Sequence, residues 1–174
     1  MRFSLRITLL VVAVLALSTV AVAQVSYDAP RFSAEFNGRV ATAGGEHSAD
    51  KGRQDTVYAS VQGDVQELVS VRNIDSAITV DYSSSHSYRD QLGPAGMGTL
   101  KSSENADFMY QGHPASYGLY EAVEEGVTQW KRIRMIIVDA HTAIFVVFIV
   151  PREYAQSAAG DREFLRFANS LVIK

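Results

Sequence analysis

The sequence predicts an α+β fold: a single domain whose antiparallel β-sheet has helices packed on it, ending in a short C-terminal amphipathic helix. Three observations carry that prediction. The stretch from Met135 to Val150 is apolar apart from Asp139, His141 and Thr142, and its β-branched and aromatic residues suit strands. Shorter alternating runs precede it, among them "RFSAEF" and "TVYASVQGDVQELVSV". The last segment, "GDREFLRFANSLVIK", places Phe164, Phe167, Ala168 and Leu171 at i, i+3, i+4 and i+7, the spacing of one helix face.

The chain opens with "MRFSLRITLLVVAVLALSTVAVAQ". Arg2 and Arg6 precede an apolar run from Ile7 to Leu17, and Ala21 and Ala23 form an A-x-A site, the three parts of a secretory signal peptide. The run is short against the roughly 20 residues that a bilayer span needs. Residues 1–23 are therefore expected to be removed between Ala23 and Gln24, leaving one domain, 24–174, in the periplasm or outside the cell. Cleavage takes away two arginines, so the mature chain has 14 Lys+Arg against 19 Asp+Glu, a net charge of −5. That balance excludes a general nucleic-acid binder. With no cysteine the chain has neither disulfides nor a lipoprotein anchor through an N-terminal cysteine, and Asn37, Asn73, Asn105 and Asn169 all lack the N-x-[ST] pattern.

Along the mature chain, Phe32, Ala34 and Phe36 alternate with polar residues as in a strand, and "GRVATAGGEHSADKGRQD" reads as a polar, glycine-rich loop. Gly63-Asp64 joins two alternating runs as a hairpin. Residues 76–101 stay open: Ile78 to Tyr82 suit a strand or a helix start, and Ser84 or Ser85 suits a helix cap before "GPAGMG". Further on, Glu125-Gly126 and "DAHT" are turns of two successive hairpins. Two-residue loops would pair Glu124 with Val127 and Asp139 with Thr142. That register puts Ile133, Met135 and Ile137 on one face with Ile144, Val146, Phe148, Ser116 and Gly118, a core face. The other face carries Tyr117, Leu119, Glu121, Trp130, Arg132, Arg134, Ile136, Phe145, Val147 and Ile149, and is expected to stay partly wet. The strand from Ala143 to Val150 is apolar on both sides, as in a covered central strand. A membrane span is excluded after signal removal, because Asp139 at its middle would cost about 2.5 to 3.5 kcal/mol. Pro151 to Gly160 reads as a connection, and Asp161 as the N-cap of the final helix.

This order of elements, with "FSAEFNG" at the first strand, "YQGHPASYGLYE" before the long strands and "FLRFANSL" at the end, resembles small exported bacterial proteins of unassigned function that are similar to the PsbP-like extrinsic photosystem II subunits. The resemblance spans about residues 32–173. Asn37 departs from the Phe-Pro-Gly expected after the first strand, and Gly112-His113-Pro114 matches the later glycine-proline signal. The resemblance implies an antiparallel sheet with helices packed on it and a role in protein association, and it implies no catalytic residue.

The residues themselves offer no catalytic grouping. "GPAGMG" lacks the spacing of a dinucleotide loop and the lysine-serine pair of a phosphate loop. His47, His86, His113 and His141 are far apart, without the i, i+4 pairing of a helical metal site, so neither metal nor cofactor is expected. Ser85 and His86 near Asp81 suit capping better than nucleophilic chemistry. Glu121, Glu124 and Glu125 suit a hydrated hairpin end better than paired carboxylates. The dense basic group beside Trp130 is different, since tryptophan, tyrosine and arginine dominate binding hot spots. Trp130, Arg132, Arg134 and Tyr117 are accordingly the expected partner-binding surface, a face on which charge reversal of both arginines should leave the fold intact. The predicted function is a non-catalytic exported protein that binds or scaffolds another protein. A lipocalin-like carrier of apolar ligands is the alternative, and an enzyme with a site assembled from scattered residues is less favoured.

Overall fold

Runs of Val, Ile, Tyr and Phe pair here into long hairpins, because β-branched and aromatic side chains fit a pleated, covered surface. The computed structural model describes residues 23–45, 52–78, 98–102, 108–124 and 126–174. Among them are β1 (Gln24–Asp28), β2 (Phe32–Asn37), β3 (Ala41–Gly45), β4 (Arg53–Gln62), β5 (Val65–Ile74), β6 (Thr99–Ser102), β7 (Phe108–Tyr110), β8 (His113–Glu124), β9 (Val127–Asp139) and β10 (Thr142–Val150). Helices α1 (Arg152–Ala155) and α2 (Ala158–Ser170) follow, then β11 (Val172–Ile173). All pairings are antiparallel. One sheet has the order β1-β2-β11, and the other runs β3-β4-β5-β10-β9-β8-β6, with β7 also paired to β8.

The protein is thus mostly β, and the expected helix-packed α+β fold is corrected. Its described helices have only 4 and 13 residues, against eleven strands in two sheets. Edge pairing made the difference. Residues 41–45, expected in a loop, form β3 because β4 offers them a free row of backbone partners from Asp55 to Ala59. The terminal helix does not end the chain either, since Val172 and Ile173 pair with Ser33 and Phe32. The hairpins at Gly63-Asp64 and Ala140-His141 form where the sequence placed them, and Glu124 pairs with Val127 as expected, while Glu125 lies outside the described residues. The segment 79–97, with Asp81, Ser84, Ser85, His86 and most of "GPAGMG", lies outside the described residues, as does His47.

The β8–β9 register is the predicted one, with Glu124 opposite Val127. The β9–β10 register is not. Thr142 pairs with Asp139, but Ala143 pairs with Ile137, so Val138 is an extra residue in a β-bulge. A one-residue slip moves each side chain to the other face. Ile144, Val146, Phe148 and Val150 therefore share a face with Ile136, Arg134, Arg132 and Trp130. On that face they join Phe32, Phe36, Phe164 and Phe167 in the larger core cluster. Ile133, Met135 and Ile137 lie on the reverse face with Ala143 and Phe145 in a second cluster. β10 is apolar on both sides, and Val146 is fully buried while Val147 is half-buried.

Helix α2 lies on the first face. Its N-cap is Ser157, whose side chain accepts from the Gly160 amide at 3.0 Å, so the helix starts ahead of Asp161, which sits in its first turn. Phe164, Phe167, Ala168 and Leu171 are fully buried, as their spacing predicted. Each buried phenylalanine contributes about 1.5 to 3 kcal/mol. Residues 151–160 are not a bare connection, because α1 occupies four of them. The two helices come close enough at Gly160 that a Cβ there would meet the Tyr154 carbonyl oxygen at 2.0 Å.

Candidate functional site

The sequence-predicted binding surface lies beneath α1 and α2. Trp130, Arg132 and Arg134 are only 5%, 6% and 5% exposed, and Tyr117 is half-buried and stacked on Phe164. The face expected to remain partly wet is the one that the helices cover. Its arginines are docking posts for them. Arg132 Nε donates to the Ala155 carbonyl at 2.9 Å, at the end of α1, and its Nη1 donates to Asp161 at 2.6 Å and to the Tyr117 hydroxyl. Arg134 Nη1 donates to the Ala168 carbonyl and the Asn169 side chain, both at 2.9 Å, and the guanidinium lies 4.7 Å over the Tyr110 ring. No basic residue of α2 sits in its last turn, so Arg134 supplies the positive charge that its C-terminal carbonyls favour. Burial pulls the Arg134 guanidinium below the usual arginine range, an effect that Tyr110 partly offsets.

An open groove lies farther along the same face, where the first half of α2 meets β4, β5 and the end of β2. Its volume is about 580 Å³, within the range of small-ligand sites. Asn37, Ser60, Gln62, Val65, Glu67 and Tyr154 line it, together with Ala159, Arg162, Glu163 and Arg166 of α2. Those four helix positions are spaced i, i+3, i+4 and i+7, a polar stripe beside the phenylalanine stripe. Glu67 reaches the groove because it alternates with Val65, Val69 and Val71 toward the helix, opposite Ser60 and Phe148. Asn37 reaches it because Gly38, at φ +98°, has no Cβ to strike the Gln62 side chain, which would lie 2.3 Å away. The chain thus passes close to β4, and the Ser60 hydroxyl donates to the Asn37 carbonyl at 2.5 Å.

Two carboxylates meet there. Glu67, 1% exposed, accepts from the Asn37 amide N–H at 2.5 Å, from Asn37 Nδ2 at 2.9 Å and from Arg166 Nη2 at 2.6 Å. Glu163 accepts from the same Nδ2 at 3.1 Å and from the Tyr154 hydroxyl. Burial raises the pKa of Glu67, while the Asn37 amide and Arg166 pull it back and Glu163 adds to the rise. The hydrogen bond to Glu163 and burial push the Tyr154 hydroxyl up to about 12, so it stays a donor. The carboxylates are therefore occupied by protein donors. The guanidiniums are only partly so: Arg162 has no hydrogen bond or ion pair among the described residues, and Arg166 pairs with Glu67 through Nη2 while its Nη1 is buried without a partner. With two acids and two arginines, the groove is close to neutral and has spare donors.

Sequence reasoning assigned none of the groove residues to a site, and noted Asn37 only for lacking a glycosylation pattern and for departing from an expected proline. Two signals were readable. Glu67 is a lone acid at an inward strand position, and Ala159, Arg162, Glu163 and Arg166 share one helix face. Glu121 forms an ion pair with Lys101 at 2.5 Å, away from the groove. Among the described residues no group of His, Asp or Glu could hold a metal ion, and no helix is long and apolar enough to cross a membrane. Ala23 is exposed, and β1 starts at Gln24. No family model matches the chain, and no curated protein sequence matches it.

Proposed function

We propose that this is an exported, non-catalytic binding protein that docks a protein partner in the groove between α2 and β4–β5, and not on the strand face around Trp130. The observation that carries the reading is the pair of arginines with unused donors lining an open groove whose carboxylates already accept from protein donors. The signal-like N-terminus supports export, and the resemblance to PsbP-like exported proteins, which rests on residue pattern alone, supports protein association. An apolar-ligand carrier draws less support, because the larger sheet has two separate end strands, β3 and β6, and the groove is polar.

A photo-crosslinking amino acid at Ala159, an exposed residue of α2 that lines the groove, compared with one at the exposed hairpin residue Val123, tests this in the native exported compartment. A discrete adduct at 159 that is absent at 123 and lost in Arg162→Glu is expected. Equal labelling at both positions, or none at 159, refutes docking in the groove.

A further inference from the structure

We infer that the groove recognises a carboxylate side chain on an acidic segment of the partner, gripped by Arg162 and Arg166 of α2. This rests on the binding reading above and adds the chemistry of the ligand.

Hydrogen-bond capacity carries the inference. Of the four charged groups in the groove, Glu67 takes three donors and Glu163 takes two, all from the protein. The unspent capacity is in the guanidiniums. Arg166 commits Nη2 to Glu67 and leaves Nη1 without an acceptor, while Arg162, one turn earlier and exposed, commits nothing among the described residues. The free fork of Arg162, with the unpaired end of Arg166 one turn on, suits a planar, singly charged acceptor, since arginine holds carboxylates through paired N–H donors. Phosphate can use the same donors, but Glu67 and Glu163 stand beside them. A near-neutral groove admits one negative charge readily and a second poorly, which favours carboxylate. Glu67 also tunes the site. When it takes a proton the groove gains positive charge, so acid should strengthen binding until the ligand's own carboxylates protonate.

Anisotropy titration of a fluorescein-labelled, amidated pentaglutamate peptide tests this, in about 0.15 M salt, where a Debye length of about 8 Å screens the acidic net charge of the chain. Pentaglutamine and inorganic phosphate are the comparison probes. The expected result is saturable binding of pentaglutamate, at least about tenfold weaker binding of pentaglutamine, and a loss of about tenfold in Arg162→Gln with unchanged melting temperature. Inorganic phosphate at the same concentration should not displace the peptide. Equal binding of both peptides, an unaffected Arg162→Gln, or displacement by phosphate overturns the inference. An adduct at position 159 in the cross-linking experiment without pentaglutamate binding leaves groove docking standing and refutes only the carboxylate.

Discussion

Arg132→Ala should destabilise the protein by about 3 kcal/mol, although the residue lies on a strand that the sequence alone would leave partly wet. The substitution removes the donor to the Ala155 carbonyl and the one to the Tyr117 hydroxyl. An acceptor left unsatisfied in a buried site costs about 1 to 3 kcal/mol. The Asp161 partner is 37% exposed, so that ion pair adds about 1 kcal/mol or less. Lost packing of the aliphatic stem adds to the cost, and relief from burying a guanidinium offsets part of it. For a chain of this size 1 kcal/mol corresponds to about 2 to 4 °C, so Tm should fall by about 6 to 12 °C. Thermal denaturation followed by circular dichroism measures it, with Arg162→Ala on the exposed flank of α2 as a control expected within about 0.5 kcal/mol of wild type. An Arg132→Ala variant melting within about 2 °C of wild type would show that the helices are not held by this residue. The double reversal Arg132→Glu with Arg134→Glu should unfold the protein outright, because it places acids against helix carbonyls and Asp161.

Stability should fall as pH rises from about 4.5, the ordinary glutamate value, toward the raised value of Glu67, because over that window the folded state holds the proton that the unfolded chain has lost. Glu67→Gln should flatten that slope in urea unfolding curves taken between about pH 4 and 7; a slope unchanged by the substitution assigns it to another group. Val146→Asp should abolish cooperative unfolding, since an unpaired carboxylate at a fully buried position costs several kcal/mol out of a total of about 5 to 15. Gly160→Ala should pry α1 from α2 and lower Tm, whereas Gly112→Ala, with open space around its Cβ position, meets only its backbone strain at φ +84°; similar losses for both would argue against the helix contact. Intact-mass measurement of the exported protein should give residues 24–174, and a full-length mass in the membrane fraction would rule out cleavage before Gln24.

Local pattern sufficed where the chain answers to itself. Alternation at Phe32, Ala34 and Phe36, the short hairpin loops, and the i, i+3, i+4, i+7 phenylalanine stripe all reappear as buried faces, because period and turn chemistry are properties of a few neighbouring residues. What the sequence left undetermined depends on partners distant along the chain. The glycine-rich segment 41–45 became a strand only because β4 had backbone groups to satisfy. The bulge at Val138 decided which face of β10 meets the arginines, and one extra residue there exchanged the whole inner and outer sets. Trp130, Arg132 and Arg134 looked like a binding surface because residue type suggests exposure. Tertiary packing instead commits the two arginines to helix carbonyls and Asp161, and sets Trp130 beneath the Arg152 guanidinium. The groove required Asn37, Glu67 and Glu163 to converge from one strand end, a second strand and a helix, and hydrogen-bond geometry across such separations is written in the fold and not in any single stretch of sequence.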